Sequence, residues 1–285
     1  MSQPDRTPRI IADGLVFPEG PRWHNGAFYF SDMHAHKVFQ VKADGTLRVV
    51  AEVPTCPSGL GWDPEGRLLI VSMEDHRLLR QEQDGSLEAI ADFSALATHL
   101  SNDMVVDDQG RAYIGNFGFN LHTGEAPKTT NLILALPNGD VREAAGELSF
   151  PNGTVITPDG KTLIVAETFA SQLTAFDIEP DGSLTNRRVW ATLEGAVPDG
   201  ICLDAEGAIW VASPVSAQVL HVAEGGEVLD CIKVETQAFA CMLGGNDGKM
   251  LYVCTAPSSD PEICLAKRGG RIEAFEVDVA RAGLP

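Results

Sequence analysis

The hydrophobic positions of the chain recur in short runs that follow polar turns. Each turn ends in glycine and an apolar, β-rich run comes next, as in His24-Asn25-Gly26 before residues 27–30. The pattern occurs six times, and consecutive glycines are 40 to 50 residues apart at positions 26, 66, 110, 160, 207 and 248. A period of this length indicates a fold built from similar units.

A second set of turns divides each unit. These are Asp-Gly, Asn-Gly or Gly-Gly pairs at 44–45, 84–85, 138–139, 181–182, 225–226 and 269–270. Asn-Gly and Asp-Gly pairs favour tight hairpins because both central residues of such a turn need positive φ. Helical patterns are nearly absent. Six units of four antiparallel strands predict an all-β, six-bladed β-propeller, whereas a β-sandwich would have about seven strands in total.

The propeller is expected to occupy residues 1–285 as one domain. Its blades are predicted near residues 14–53, 54–97, 98–147, 148–194, 195–235 and 236–278. The segment 9–12 precedes the first complete blade, and we expect it to pair with the last strand near 271–277. That pairing would close the ring and remove the exposed sheet edges of an open one.

One position at the start of each blade's first strand carries candidate chemistry. Aligned on the first glycine of each unit, it reads Glu19, Ser58, Asn102, Asn152, Asp199 and Ala240. The first strand of a propeller blade lines the central channel, and rotation about the channel axis relates the blades. The six positions are therefore predicted to form a ring around one mouth of the channel.

Four members of that ring offer oxygen donors: Glu19, Asn102, Asn152 and Asp199. Two facing carboxylates raise each other's pKa, and a divalent cation relieves this repulsion. We expect one divalent cation on the axis, in first place Ca²⁺, with Mg²⁺, Mn²⁺ and Zn²⁺ as alternatives, because an all-oxygen donor set favours a hard ion. Taken singly, Pro-Asn-Gly and Pro-Asp-Gly are ordinary turn sequences, so the prediction depends on their register in the repeat.

The amino-acid composition and net charge indicate which classes of partner to expect. The chain has 285 residues, a net charge of −19 and no basic block, which argues against nucleic acid or an anionic membrane as partner. No signal peptide is visible, and six cysteines without a Cys-x-x-Cys pair are expected to stay reduced. We therefore expect a cytoplasmic monomer or small homo-oligomer that acts on a small molecule.

Four segments in separate blades carry a family signature: Phe17-Pro18-Glu19-Gly20-Pro21-Arg22-Trp23, Ser101-Asn102-Asp103, Pro151-Asn152-Gly153 and Pro198-Asp199-Gly200-Ile201. They resemble the SMP-30/gluconolactonase/LRE-like family, which includes regucalcin and bacterial sugar lactonases, over about residues 14–277. The resemblance implies a six-bladed propeller with one axial divalent metal bound by Glu19, Asn152 and Asp199. It also implies that Asn102 lies at the metal or contacts substrate, and that Asp199 is the catalytic base.

The loops between the second and third strands of the blades are predicted to surround the metal. We assign substrate contacts to Ser58, Leu100, Asn102, Phe117, Phe119, Phe169 and His34. Leu100 stands where sugar-lactone members of the family often carry arginine. This departure and the phenylalanines favour a moderately apolar substrate over a polyol, although each phenylalanine could instead pack between blades.

These observations together predict a metal-dependent hydrolase. It would open a lactone, or a related cyclic or aryl ester, with water activated by the metal and Asp199 as general base. The chain has no Gly-x-Ser-x-Gly motif, which disfavours a serine nucleophile. Two alternatives stay open: a phosphotriesterase-like hydrolase on the same metal, and a non-enzymatic calcium-binding propeller.

Overall fold

Twenty-four β-strands in six sheets make up the part of the chain described in the computed structural model, residues 6–42 and 45–285. Each sheet has four strands that pair antiparallel with their neighbours. The first strands of neighbouring blades contact one another and line the channel. The fold is thus the all-β, six-bladed β-propeller predicted from the repeat.

The strands follow chain order within the blades. Strand β1 (Arg9–Leu15) precedes blade one, which contains β2 (Pro18–His24), β3 (Ala27–Asp32), β4 (Lys37–Val41) and β5 (Leu47–Glu52). Blade two contains β6 (Pro57–Trp62), β7 (Leu68–Ser72), β8 (Arg77–Gln81) and β9 (Leu87–Asp92). Blade three contains β10 (Ser101–Val106), β11 (Ala112–Asn116), β12 (Thr130–Ala135) and β13 (Val141–Leu148).

The second half of the chain repeats this order. Blade four contains β14 (Pro151–Ile156), β15 (Thr162–Glu167), β16 (Gln172–Ile178) and β17 (Leu184–Thr192). Blade five contains β18 (Ile201–Leu203), β19 (Ile209–Ser213), β20 (Gln218–Val222) and β21 (Val228–Lys233). Blade six contains β22 (Gln237–Gly244), β23 (Met250–Ala256) and β24 (Gly270–Glu276). Three short 3-10 turns span Met33–Ala35, Leu121–Thr123 and Thr168–Ala170.

Strand β1 closes the ring as the outermost strand of blade six. It pairs antiparallel with β24, with Ile10 opposite Glu273 and Ala12 opposite Ile272. The predicted pairing of the two ends of the chain is therefore confirmed. Glycines with positive φ also hold five of the predicted hairpin turns, for example Gly85 at +86° and Gly139 at +89°. The prediction of a sixth at 269–270 was wrong, because Gly270 is the first residue of β24 and neither glycine has positive φ. Asp44 of the first such turn lies outside the described residues.

The core is made of apolar layers between adjacent blades. Leu69 and Val71 of blade two, for example, pack with Met104 and Ile114 of blade three, and all four are almost fully buried. Burial of such a side chain contributes about 1.5–3 kcal/mol. No disulfide joins the six cysteines within the described residues.

Helix α1 (Pro261–Lys267) in the loop between β23 and β24 was not predicted. Asp260 caps it by accepting hydrogen bonds from the backbone N–H groups of Glu262 and Ile263, and Pro261 begins its first turn. The helix contacts the 3-10 turn Met33–Ala35 of the neighbouring blade one. In the part of the chain that is described, no helix is long and apolar enough to cross a membrane.

Candidate functional site

A cavity of about 240 Å³ lies at the end of the channel where β2 begins. Every loop between the second and third strands of a blade contributes to its wall. These residues are Met33, His34, Met73, Phe117, Leu121, Thr168, Phe169, Pro214, Val215 and Ser259. The structure therefore confirms that these six loops surround one mouth of the channel.

Four of the six predicted ring positions line this cavity, and they are the four with a carboxylate or amide group: Glu19, Asn102, Asn152 and Asp199. Ser58 and Ala240 are not among the lining residues, and each side chain is only 2% exposed. The backbone carbonyl of Ser58 instead accepts a hydrogen bond of 2.6 Å from the Ser31 hydroxyl.

A local irregularity of the first strand presents the ring residues. The pairing register shifts between Glu19 and Arg22 in β2, between Ser101 and Met104 in β10, and between Pro151 and Thr154 in β14. An extra residue in one strand changes the direction of the local side chains. This explains how a strand with an apolar core can still direct a polar side chain into the channel mouth.

Close approach of the innermost strands restricts the residue after each ring position. A Cβ atom on Gly153 would lie 2.5 Å from the backbone nitrogen of Ile201, and one on Gly200 would lie 2.5 Å from the Cβ of Ala240. Both distances are shorter than real contacts, so only glycine fits. Blades three and six differ, since Asp103 follows Asn102 and Cys241 follows Ala240.

Asp103 forms a buried ion pair that the sequence did not reveal. Arg22 of β2 donates to Asp103 at 2.5 Å, to the Met104 carbonyl at 2.6 Å and to the Leu60 carbonyl at 2.9 Å. The arginine thereby joins the first strands of blades one, two and three. An arginine within a buried strand is the signal in the sequence that could have indicated a buried partner.

Thr168 orients the amide of Asn152. The Asn152 Nδ2 atom donates to the Thr168 hydroxyl at 3.3 Å, with the amide orientation assigned from this contact. Because the nitrogen is engaged there, Oδ1 is the amide atom left for a ligand in the cavity. This role of Thr168 was not predicted from the sequence, because it depends on β15 ending beside the start of β14.

The two ring carboxyls influence each other's protonation. Burial raises the pKa of Glu19 to about 8, with a smaller upward contribution from Asp103, while the Gly20 N–H and Arg22 act in the opposite direction. Burial also raises the pKa of Asp199 well above its usual value, and the charge of Glu19 adds to this effect. Each carboxylate is therefore destabilised in the absence of a positive charge.

This donor set fits a hard divalent cation. Neither Glu19 nor Asp199 forms an ion pair with a lysine or arginine in the described ranges, since Arg22 is engaged with Asp103. Among those residues, no three His, Cys, Asp or Glu side chains group in a way that could hold a metal. A cation here would depend on two carboxylates and two amide oxygens, a set typical of Ca²⁺ and Mg²⁺ rather than of thiolate- or imidazole-bound metals.

The rest of the wall is largely apolar. Leu100, Phe117 and Phe169 line the cavity as assigned, and His34 lines it while its ring stacks on Phe17 with centroids 5.0 Å apart. Phe119 is not a lining residue; it is buried and packs edge-on against Phe169. Three lining aromatics were missed: Phe17, Phe150 and Phe239.

Two regucalcins are similar to this chain in sequence. Regucalcin of Homo sapiens is 26% identical over 264 residues, which cover 89% of this chain and 88% of that protein. Regucalcin of Oryctolagus cuniculus is 29% identical over 168 residues, which cover 56% of each chain.

Solved structures share the architecture. A calcium-binding regucalcin from Agrobacterium tumefaciens str. C58 matches with a TM-score of 0.83 at 22% identity, covering 98% of this chain and 97% of that one. A gluconolactonase from Xanthomonas campestris matches with a TM-score of 0.79 at 23% identity, covering 96% and 91%. A family model for the SMP-30/gluconolactonase/LRE-like region matches residues 17–257. The chain therefore belongs to the SMP-30/gluconolactonase/LRE-like family.

Proposed function

We propose that this protein is a hydrolase that opens a lactone, or a related cyclic or aryl ester, with one divalent cation, Ca²⁺ in first place, held by Glu19, Asn102, Asn152 and Asp199. One observation carries the proposal: two carboxylates that form no ion pair with a described lysine or arginine converge with two amides at the end of a largely apolar cavity. The calcium-binding regucalcin and the gluconolactonase with the same fold support the ion and the reaction class.

Asp199 is the general base in this proposal. A divalent cation supplies a Lewis acid that polarises the ester carbonyl and stabilises negative charge on its oxygen. Asp199 accepts a proton from the water that attacks the carbonyl carbon, and returns it to the alkoxide that leaves when the ring C–O bond breaks. Asn102 and Asn152 are neutral, so they orient the reacting groups without competing for that proton.

The Asp199→Asn variant tests the role of the carboxylate. We expect it to fold and, with Ca²⁺ in saturating excess, to hold the cation through the amide oxygen that still faces the site, although it too loses one of the two negative charges. Hydrolysis of a lactone should fall by about 10²–10⁴-fold, as is usual when general-base catalysis is lost. Asp177→Asn is the control, since Asp177 is a half-exposed residue of β16 that accepts from Arg188 and Asn186 and does not line the cavity. Activity like that of the unmodified protein in Asp199→Asn would remove this residue as the base.

Metal content and a substrate panel separate this proposal from its alternatives. Elemental analysis identifies the ion, and lactone hydrolysis should stop after chelation and return with one divalent cation. A phosphotriesterase-like enzyme would instead prefer aryl phosphotriesters in the same assay. A calcium-binding propeller without enzymatic activity would bind the ion but hydrolyse neither class.

A further inference from the structure

One side of the cavity is an aromatic wall built by blades three and four. Phe117 follows β11, Phe150 precedes β14 and Phe169 follows β15, and all three line the cavity. The ring centroids of Phe117 and Phe150 are 4.5 Å apart, and those of Phe150 and Phe169 are 5.4 Å apart. Phe119 supports this wall from behind, 5.2 Å from Phe169. Offset and edge-on contacts of this kind make a stable apolar surface.

A second aromatic wall belongs to blades one and six. Phe17 immediately precedes β2, and Phe239 lies on β22; their ring centroids are 4.8 Å apart with planes at 69°. In a ring of six blades, blade one lies opposite blade four, and blade six lies opposite blade three. The two walls therefore face each other across the cavity and above the polar ring.

The charges of the cavity restrict its ligand further. Among the described residues that line it, none is lysine or arginine, and both acidic residues belong to the ring. The Gln237 amide donates to the Pro257 carbonyl at 3.2 Å, and the Thr168 hydroxyl accepts from Asn152. A carboxylate or phosphate group on a ligand thus finds no lysine or arginine in the wall, and His34 is the one lining side chain among the described residues that can carry a positive charge. Several polar groups of the wall are already engaged within the protein.

We propose that the substrate is an uncharged lactone or ester whose non-reacting part is a compact apolar ring, held between the two phenylalanine walls. This inference rests on the proposed function for the reacting group, while the walls themselves determine the apolar part. The volume of about 240 Å³ is below the range of roughly 300–1,000 Å³ that is usual for drug-sized ligands, so the substrate is small. A polyhydroxylated lactone would lose its hydration on entry without finding enough hydrogen-bond partners in these walls.

Inert lactams test the inference independently of catalysis. Calorimetry with Ca²⁺ present would compare 3,4-dihydro-2-quinolinone, a lactam fused to a benzene ring, with gluconolactam. We expect the benzo-fused lactam to bind at least about 10-fold more tightly, because apolar contacts of this size give roughly 10–200-fold discrimination. Equal affinity, tighter binding of the polyol, or binding of neither lactam would overturn the inference.

Hydrolysis of the corresponding lactones, 3,4-dihydrocoumarin and glucono-δ-lactone, gives the second readout. If neither is hydrolysed under any metal, the proposed function fails, and the lactam affinities still decide the question of the apolar walls. If glucono-δ-lactone has the higher kcat/KM, the proposed function stands and the inference fails.

A variant of the wall links the preference to specific residues. Phe169→Ala should lower affinity for the benzo-fused lactam by about 10-fold and leave gluconolactam affinity unchanged. The side chain is 48% exposed, so its removal leaves the fold intact. The control is Val189→Ala, because Val189 is an exposed apolar residue on β17 and does not line the cavity. An unchanged preference in Phe169→Ala, with the control also unchanged, contradicts the assignment of this wall.

Discussion

Two acidic side chains at the channel mouth have different roles because their neighbours differ. Asp103 is neutralised by Arg22, whose side chain is only 3% exposed. Arg22 also joins the first strands of three blades through its hydrogen bonds to Leu60 and Met104. Glu19 lacks such a partner, so burial raises its pKa to about 8. A buried carboxylate with its guanidinium partner is structural, whereas one that lacks a partner and lines a cavity is available for a ligand.

Replacement of Glu19 by glutamine should weaken cation binding. The variant keeps the shape of the side chain but removes one of two negative charges, so we expect the affinity for Ca²⁺ to fall by about tenfold or more. The cation-free variant should also have a higher Tm than the cation-free unmodified protein, because a destabilised buried charge is gone. Calorimetric titration with Ca²⁺ and thermal melts in chelator measure the two effects.

Glu273→Gln is the matched control for that experiment. Glu273 is also buried, accepts a hydrogen bond of 2.9 Å from Thr255 and does not line the cavity. Its replacement should leave Ca²⁺ affinity unchanged. Equal Ca²⁺ affinity in Glu19→Gln and the unmodified protein would show that Glu19 is not a ligand.

The four oxygen-bearing ring residues were predictable, but their supporting contacts were not. Alignment of the repeats is enough to locate Glu19 and Asp199. The blades are related by rotation about the channel axis, so equivalent positions of the repeat lie close together in space. Arg22 and Asp103 are 81 residues apart and occupy different positions in their units, so the repeat gives no reason to pair them. Thr168 likewise acts through a side-chain hydrogen bond that depends on the packed geometry.

At the level of strands and loops, the order of the strands was predictable from the sequence, whereas the local shifts in strand pairing were not. The apolar runs predict the strands because their residues pack between blades, but the register shift in β14 beside Asn152 leaves no mark on that pattern. Helix α1 did have a local signal, since Asp260-Pro261-Glu262 combines a capping residue with proline in the first turn. Its seven residues are too few to show a helical period.

Blade five contains a cross-strand cluster whose stability should depend on pH. Asp204 follows β18 and accepts from His221 of β20 at 2.6 Å, and the His221 ring stacks on Trp210 of β19 at 4.4 Å. Burial alone would raise the pKa of Asp204, but hydrogen bonds from His221 and from two backbone N–H groups outweigh it and hold the pKa below 3.8. Its contribution to folding is therefore present above pH 3.8 and is lost as the pH falls through the lower folded pKa.

The Asp204→Asn variant should thus be less stable than the unmodified protein by about 2 kcal/mol at pH 7. The difference should shrink as the pH is lowered below 3.8, the unfolded value, because Asp204 then becomes protonated in the unmodified protein as well. Urea unfolding at several pH values between 7 and 3 measures it. Asp247→Asn is the control, because Asp247 occupies the matching turn of blade six and is exposed. A stability difference that does not vary with pH would mean that the charge of Asp204 contributes nothing.

At the scale of the whole molecule, two segments near the ends of the chain hold blades together. The pairing of β1 with β24 was predictable because both segments have strand-like sequences. The second is the segment 280–285, which joins blades four, five and six at the channel end opposite the cavity and was not predicted. The Leu284 side chain packs on the apolar cluster that contains Ile156 and Leu163. The segment's other main contacts are backbone hydrogen bonds: Ala205 N to Ala280 O, Arg281 N to Gly248 O, Ala282 N to Leu203 O, and both bonds between Ile156 and Leu284. Backbone contacts are independent of side-chain type and leave little trace in a sequence.

The role of segment 280–285 can be tested at Gly283. Its φ is +66°, and a Cβ atom there would collide with the backbone carbonyl of Ile156. Gly283→Ala should therefore release the two hydrogen bonds between Ile156 and Leu284 and cost about 1–2 kcal/mol beyond the strain of positive φ alone. Gly207→Ala isolates that strain, because Gly207 has a φ of +85° and open space around its Cβ position.

Since the segment joins blades four, five and six at the far end of the channel, unfolding in urea should show the extra loss of stability while Ca²⁺ affinity stays unchanged. Equal stability of the two alanine variants would mean that segment 280–285 does not help to hold blades four, five and six together.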